Sequence, residues 1–243
     1  MKKIVLFALL LASTLSYAKH PLTLWVAGDN TAADQTELSN PQRGWAQVLP
    51  TFVKDMAVKN LSYDAQGVAS FVVSERWNYI LTNAKKKDYL LIQFGVNDLD
   101  PNKGRAFSSI AHFEHYLLEM VTKAQKAGLN VILTTPVSRV RRDAQGMFYS
   151  SFGLYAEATR RVALRTNTPL IDLELKTANE LTYMPQEQAD QLYTDGTNLT
   201  EQGALWVAQL WAQDAVLLPK MEGYINLYDH AETLYTTPVT IGE

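Results

Sequence analysis

The sequence predicts a three-layer α/β/α sandwich with a flavodoxin-like, five-stranded parallel sheet. Strand-like and helix-like segments alternate along the chain, which is typical of a parallel sheet covered by helices on both faces. The segment 89–94 is a continuous apolar run, as a strand buried on both faces requires. At 243 residues, 47% of them hydrophobic, the chain is long enough for one substantial core.

Each predicted element rests on its own local pattern. The predicted helix at 44–52 places Trp45, Val48 and Leu49 on one face. The predicted helix at 110–127 ends before Gly128, a residue type that commonly follows a helix. In chain order, the predicted strands are 23–27, 57–61, 89–94, 131–134 and 170–173, and the predicted helices are 44–52, 74–82, 110–127, 155–166 and 201–217.

The two ends of the chain differ in character from the predicted domain at 19–218. Residues 1–18 combine Lys2 and Lys3, an apolar run and a small-x-small sequence ending at Ala18. This pattern indicates the signal peptide of an exported protein, either periplasmic or secreted. The apolar run is shorter than the roughly 20 residues of a membrane span, so no membrane association is expected. Residues 219–243 show no clear period and are interpreted as a C-terminal extension.

Charge and cysteine content exclude several classes of function. Without Lys2 and Lys3 the chain carries 20 basic and 25 acidic side chains, and no basic patch indicates nucleic acid or an acidic membrane surface as partner. The chain has 0 Cys, which excludes disulfides and thiolate metal sites. His112 and His115 share a predicted helix, but two histidines without a nearby third ligand are typical of a helix surface, so neither metal nor cofactor is predicted.

Polar motifs follow the predicted strands at one edge of the sheet. Gly28-Asp29-Asn30 ends the first strand, and Gly95-Val96-Asn97-Asp98 ends the third. Gly67 follows the second strand, and Asp195 and Asn198 stand close together before the last predicted helix. The carboxyl ends of parallel strands meet at a single edge, where ligands bind in such folds. This edge is therefore the predicted functional site.

These blocks resemble the SGNH/GDSL hydrolase family, and their wording is closest to the rhamnogalacturonan acetylesterase branch, which removes acetyl groups from pectin. The resemblance extends over about residues 22–217 and implies the SGNH hydrolase fold. In that family a serine attacks the ester carbonyl, and a histidine oriented by an aspartate removes the serine proton. By position, the resemblance implies that Asp195 is the orienting aspartate. It also implies that the Asn30 N–H, the Gly67 N–H and the Asn97 side chain are the oxyanion donors.

The chain departs from the family at the two residues that perform the chemistry. Asn30 stands where the family has its nucleophilic serine, and Asn198 stands where it has the catalytic histidine. Neither carboxamide titrates near neutral pH, so neither serves as a general base. Val96 and the pair Val68-Ala69 also differ from the branch. The resemblance therefore implies a catalytically inactive relative of carbohydrate acetylesterases, with acetylated pectin or another acetylated carbohydrate as its expected partner.

Other interpretations stay open at this stage. The chain could be an active carbohydrate O-acetylesterase that recruits another hydroxyl as nucleophile, a disabled variant of such an esterase, or a carbohydrate-binding module. Asn30 also suits a tight strand-to-helix turn, Asn97 could cap the next segment, and Asp195 could be a loop carboxylate. The arginines of the run at 139–142 form either a solvated loop or a contact with acidic sugars.

Overall fold

The structure, a computed structural model, describes residues 21–35 and 40–227. The predicted signal peptide at 1–18 lies outside the described residues, as does the part of the predicted C-terminal extension at 228–243. The strands are β1 (Leu22–Gly28), β2 (Met56–Asn60), β3 (Tyr89–Gln93), β4 (Asn130–Thr134) and β5 (Leu170–Ile171). They form one sheet in the order β2-β1-β3-β4-β5, and every neighbouring pair is parallel.

Helices follow the strands along the chain. The α-helices are α1 (Val68–Val72), α2 (Glu75–Asn83), α3 (Ile110–Lys126), α4 (Gly153–Thr166), α5 (Leu173–Tyr183), α6 (Gln186–Leu192) and α7 (Glu201–Ala215). Short 3-10 helices cover Trp45–Thr51, Pro101–Ala106 and Glu222–Tyr224. Helices α2, α3 and α7 begin at Ser74, Ser109 and Thr200, whose hydroxyls accept a backbone N–H of the first turn. Such caps fix where each helix starts.

Both faces of the sheet are buried, which confirms the predicted three-layer sandwich. Successive side chains of a strand point to opposite faces. Accordingly, Leu24 and Val26 of β1 pack into one cluster with Trp45 and Trp211, on the side of α7. The neighbouring residues of the same strand pack into a second cluster with side chains of α3 and α4. All five residues of β3 are buried, as the continuous apolar run predicts.

Two predicted elements differ from the structure. The predicted helix at 44–52 is a 3-10 helix over Trp45–Thr51 that contains Pro50. Proline lacks the N–H that an α-helical bond requires at this point, which favours the tighter and shorter form. The predicted strand at 170–173 ends at Ile171, because the Asp172 carboxylate accepts the Leu175 N–H and starts α5 one residue later.

Among the α-helices, α1, α5 and α6 have no counterpart in the prediction. Helix α1 spans five residues, which is too short for a period of 3.6 residues to be recognised. Helix α5 does carry a signal, since Leu173, Thr177 and Leu181 are buried at a spacing of four. Thr177 hides this pattern by being polar, and its hydroxyl donates to the Leu173 carbonyl inside the helix.

The described part of the predicted C-terminal extension packs on the domain. The Tyr89 hydroxyl donates to the Lys220 carbonyl at 2.6 Å, and Ile225 forms an antiparallel bridge with Val53. Met221 and Ile225 are both buried. Residues 219–227 therefore belong to the packed domain. In residues 21–35 and 40–227, no helix has the length and apolar character needed to cross a membrane.

Candidate functional site

The candidate site lies at the edge of the sheet where β1 and β3 end. Gly28 and Gln93 are register partners in these neighbouring strands, so the loops that follow them begin side by side. Asn30 follows β1 and Asn97 follows β3. This is the edge predicted from the sequence. The parallel pairing of β1 and β3 brings the ends of both strands together there.

Asp29 is the buried centre of this edge. Its carboxylate accepts the N–H and the hydroxyl of Thr31, the Gln93 side-chain amide and, at 3.1 Å, the Val96 N–H. Burial raises the pKa of Asp29 to about 6. Gln93 in turn accepts the Trp45 indole N–H at 3.0 Å. Asp29 therefore fastens the loop after β1 to the loop after β3, which is a structural role.

Three asparagine side chains and one aspartate form a continuous hydrogen-bonded chain across the edge. Asn97 Nδ2 donates to Asn30 Oδ1 at 3.0 Å, and Asn30 Nδ2 donates to Asn198 Oδ1 at 2.5 Å. Asn198 Nδ2 donates to Asp195 Oδ2 at 2.7 Å. We call Asn97, Asn30, Asn198 and Asp195 the amide chain. The structure thus joins four of the five residues singled out from the sequence, although Asn30 and Asn198 are 168 positions apart.

The direction of the amide chain is fixed at both ends. The Asp195 carboxylate only accepts hydrogen bonds, so Asn198 must present its NH₂ to it and its carbonyl to Asn30. At the other end, Asn97 Nδ2 also donates to the Gln66 carbonyl at 2.9 Å. Asn97 therefore presents its NH₂ to Asn30, which must present its carbonyl in return. The two ends impose the same orientation on Asn30, and every contact pairs a donor with an acceptor.

Asp195 is held by its own loop. It accepts the N–H groups of Thr197 and Asn198 at 2.9 and 2.7 Å, in addition to the Asn198 side chain. Partial burial acts to raise the pKa of Asp195, but these hydrogen bonds and the positive charge of Arg141 outweigh it and hold the pKa below the usual value. Asp195 is therefore a carboxylate at neutral pH, as the direction of the amide chain requires.

Gly67, the fifth predicted residue, lies beside the amide chain at the start of α1. Its N–H donates to Ser70 Oγ at 3.0 Å. A Cβ on Gly67 would lie 1.9 Å from the Ala106 carbonyl oxygen, so close packing alone requires glycine here. The Gly67 N–H is thus not free to bind a ligand in this structure.

Asn97 and Asp98 hold the two sides of Gly67. Asn97 contacts the Gln66 carbonyl, and the Val68 N–H donates to Asp98 Oδ1 at 2.9 Å. Asp98 is fully buried, and burial raises its pKa to about 8. Below that pH the carboxyl is predominantly neutral, which avoids an uncompensated charge beneath the site.

A cleft of about 230 Å³, lined mostly by polar residues, opens over the amide chain. It is lined by Asn30, Gln42, Asp64, Ala65, Asn97, Lys103 and Asn198. Ala65 is the one apolar residue among those that line the cleft. The chemistry of the cleft suits a hydroxyl-rich ligand, since amide, carboxylate and ammonium groups all bind hydroxyls.

Several lining and supporting residues are absent from the sequence prediction. Gln42 and Asp64 come from two separate loops and Lys103 from the 3-10 helix Pro101–Ala106, and nothing in their local sequence marks them as neighbours. Gln66 and Ser70 could be predicted, because they lie one residue before and three residues after Gly67, which the motifs place at this edge. Gln42, Asp64 and Lys103 line the cleft because the tertiary fold brings them together.

In the run at 139–142, Arg139 and Arg141 lie beside the candidate site, whereas Arg142 is structural. Arg139 Nη2 donates to the Val96 carbonyl at 3.0 Å, and its guanidinium lies over the Phe152 ring. Arg141 lies beside the Asp195 loop, with Nη2 3.5 Å from the Thr197 hydroxyl. Arg142 donates to backbone carbonyls of the α5–α6 region and is structural.

The two described histidines lie elsewhere. His112 and His115 are on α3, each with its ring near Tyr116. Residues lining a shallow surface depression around His115 include Glu114 and Arg165, and none of them lines the cleft. Across residues 21–35 and 40–227, no group of three or more His, Cys, Asp or Glu side chains could hold a metal ion.

Comparison with known proteins agrees with the fold and the motifs. The chain belongs to the GDSL-like Lipase/Acylhydrolase family, whose profile matches residues 26–206. Rhamnogalacturonan acetylesterase RhgT of Bacillus subtilis (strain 168) is 30% identical over 211 residues, covering 80% of this chain and 90% of that protein. The uncharacterized esterase YxiM of the same strain is 30% identical over 198 residues, covering 79% of this chain and 51% of that protein.

Solved structures show the same fold. The crystal structure of YxiM from Bacillus subtilis superimposes with a TM-score of 0.73 at 28% identity, covering 83% of this chain and 57% of that chain. The acetylxylan esterase Axe2 of Geobacillus stearothermophilus superimposes with a TM-score of 0.63 at 16% identity, covering 79% of this chain and 93% of that chain. The latter likeness supports the fold alone.

Proposed function

We propose that this chain is a catalytically inactive member of the family, derived from a carbohydrate acetylesterase, and that its cleft binds carbohydrate. The amide chain is the observation that carries the proposal. The motif resemblance assigns Asn30 and Asn198 to the positions of the family's serine and histidine, and in the amide chain they lie between Asp195 and Asn97. The hydrogen-bonded order is that of a catalytic triad beside an oxyanion donor, with carboxamides in place of the two reacting groups.

The chemistry of a carboxamide supports this proposal. Acyl transfer needs a nucleophile that loses a proton and a base that accepts it near neutral pH. The carboxamides of Asn30 and Asn198 neither lose nor accept a proton near neutral pH. In subtilisin, the loss of triad members costs about 10⁶ in turnover, and the residual rate comes from the oxyanion hole and binding. A similar loss is expected here.

A recruited nucleophile is the alternative, and the surroundings of the cleft argue against it. Thr31 is the hydroxyl nearest in sequence to Asn30, but it is buried and lies 2.9 Å from Asp29 Oδ1 and 3.1 Å from Gln93 Oε1. Among the described residues, the imidazoles of His112 and His115 both lie on α3, away from the cleft. A hydroxyl at the cleft would therefore have no described imidazole as its base.

Two features support a carbohydrate as ligand. The cleft of about 230 Å³ is lined mostly by polar residues and is smaller than the 300–1,000 Å³ of typical drug-sized pockets, which suits a single sugar unit of a longer chain. RhgT, which is 30% identical, is named as a rhamnogalacturonan acetylesterase, so this relative acts on an acetylated carbohydrate. Acetylated pectin is the first candidate ligand.

The proposal is tested by an esterase assay on the purified chain. We expect hydrolysis of 4-nitrophenyl acetate at the rate of a heat-killed control, with RhgT as the positive control. Turnover well above that control, abolished by a serine-directed phosphonate, would show that the chain is an active esterase. Calorimetric titration with pectin oligosaccharides tests binding, and a flat titration would count against a carbohydrate ligand.

A further inference from the structure

We infer that the Asn30 side chain fills the acyl-binding position of its own cleft, so that the cleft does not distinguish an acetylated sugar from the same sugar without its acetyl group. This inference rests on the proposed function, because it takes Asn97 as the donor that an ester carbonyl would use. It differs from that proposal in naming what the cleft recognises, namely the sugar hydroxyls.

The shape of the Asn30 side chain is the first observation. A carboxamide on a methylene group has the planar carbonyl of an acetyl group. Its Oδ1 accepts from Asn97 Nδ2 at 3.0 Å, which is where the carbonyl oxygen of a bound acetyl ester would have to lie. The asparagine therefore acts as an internal copy of the acyl group.

The remaining capacity of the donors is the second observation. Asn97 has two N–H groups on Nδ2, and the second donates to the Gln66 carbonyl at 2.9 Å. The Gly67 N–H donates to Ser70 Oγ at 3.0 Å. Of the three expected oxyanion donors, the Gly67 N–H and the Asn97 side chain are thus already hydrogen-bonded within the protein. An acetyl carbonyl that entered would exchange one hydrogen bond for another and gain little free energy.

The polar side chains that line the cleft are the groups that a ligand can contact. Asp64 Oδ1 already accepts the Gln35 side-chain amide at 2.8 Å, but a carboxylate has further acceptor sites. Gln42, Asp64 and Lys103 line the cleft, and they bring an amide, a carboxylate and an ammonium group. Each of these groups hydrogen-bonds to hydroxyls, and none requires an ester. A deacetylated sugar and its acetylated form are therefore expected to make the same contacts with the cleft.

The decisive experiment compares two forms of one pectin oligosaccharide, acetylated and deacetylated by mild base, by calorimetry. We expect the two dissociation constants for the wild-type chain to agree within about threefold. Asn30→Gly removes the internal carbonyl and releases Asn97, so the variant should prefer the acetylated form by about three- to tenfold, the worth of one hydrogen bond. Asn167→Gly, the same change in the left-handed residue that ends α4, should keep the wild-type ratio.

A second measurement does not depend on the choice of oligosaccharide. The side-chain NH₂ resonances of Asn97 are followed by ¹⁵N NMR while methyl acetate is added. They should stay in place in the wild-type chain and shift in Asn30→Gly. A wild-type shift of the same size overturns the inference, as does a wild-type preference for the acetylated sugar of tenfold or more. Flat titrations with both oligosaccharides, together with the expected NMR result, would remove the carbohydrate ligand but keep the occupied acyl position.

Discussion

The Asn30 side chain donates to Asn198 Oδ1 at 2.5 Å, and this contact joins the loop after β1 to the loop before α7. Both residues are partly buried, and each uses its carbonyl and its NH₂ within the amide chain. Asn30 and Asn198 therefore form one hydrogen-bonded unit. Residues in one such network have coupled energies, so changes at positions 30 and 198 are not expected to add.

Asn30→Asp should destabilise the chain in a pH-dependent way. The ionised carboxylate that this change introduces has no N–H for Asn198 Oδ1, and two acceptors then face each other. The free energy of unfolding should fall by about 1–3 kcal/mol at pH 7, as for a buried acceptor without its partner. A neutral carboxyl can still donate, which raises the folded-state pKa. The loss should therefore grow as pH rises above about 4.

Urea unfolding at several pH values between 4 and 8 measures this effect. Asn30→Ser provides the control, because its hydroxyl can donate at every pH and its destabilisation should not change over the range. An equal free energy loss for Asn30→Asp at pH 4 and pH 8 would mean that the amide chain does not have the direction described.

The residues joined by the amide chain could be predicted from the sequence, but their pairing could not. The motifs place Asn30 and Asn97 after neighbouring strands, and parallel pairing then brings them together. Asn198 and Asp195 lie on a loop that approaches from α7, and only packing decides that Asn198 reaches Asn30. The hydrogen bond from the Gly67 N–H to Ser70 Oγ depends on the rotamer of the Ser70 side chain, and the motif carries no information about that rotamer.

The fold could be predicted from the periodicity of apolar residues, and the errors of that prediction have local causes. The long buried strands and α3, with a clear helical pattern, lie within one or two residues of the predicted bounds. Helix α1 is too short to show a period, and the Asp172 cap shortens β5. The β5 error occurs where a hydrogen bond at the end of the element outweighs the propensity of the residues around it.

Buried Asp98 should make the folded chain less stable as pH rises. Its pKa is raised from 3.8 in the unfolded chain to about 8 by burial, and that of Asp29 is raised to about 6. Between these values and 3.8 the folded chain binds more protons than the unfolded chain. The free energy of unfolding therefore decreases with rising pH across this window.

Asp98→Asn separates the contribution of Asp98 from that of Asp29. The variant keeps an Oδ1 acceptor for the Val68 N–H but does not titrate. We expect its unfolding free energy to be nearly independent of pH between 6 and 8, where the wild-type value still falls. Chemical denaturation at half-unit pH steps gives both slopes, and identical slopes would contradict the assigned role of Asp98.

Gly67→Ala should strain the site because its Cβ would lie 1.9 Å from the Ala106 carbonyl oxygen. Backbone must move to relieve this contact, at a cost of about 1–3 kcal/mol or more. Gly153→Ala is the matched control, since no heavy atom lies within 4 Å of its added Cβ. In α4 that change should stabilise the chain by up to about 1 kcal/mol. Thermal unfolding of both variants compares them directly.

Expression of the whole chain tests the predicted export. Cleavage after Ala18 should give a mature chain that begins at Lys19, which intact-mass measurement of the periplasmic and medium fractions detects. Ala18→Trp places a bulky residue at the predicted cleavage site and should leave the precursor uncut. An uncleaved wild-type chain in the cytoplasm would refute the signal peptide.

The double substitution Asn30→Ser, Asn198→His should restore esterase activity. Asp195 Oδ2 lies 2.7 Å from Asn198 Nδ2, so a histidine at 198 would find its orienting carboxylate in place. The Asn30–Asn198 contact shows that a side chain at 30 reaches the one at 198. We expect hydrolysis of 4-nitrophenyl acetate at least about 10²-fold above the wild-type chain, a small part of the roughly 10⁶ that a complete triad supplies.

Each single substitution should stay at the wild-type background, because a serine without a base and a histidine without a nucleophile are both ineffective. This non-additivity is the signature of a triad acting as a unit, and it distinguishes real recovery from a general change in the cleft. A double variant that folds but shows no activity would place the remaining defect at Val68, Ala69 and Val96, which border Gly67 and Asn97. Serine-directed phosphonate should label the double variant at residue 30 and leave the Asn198→His variant unlabelled.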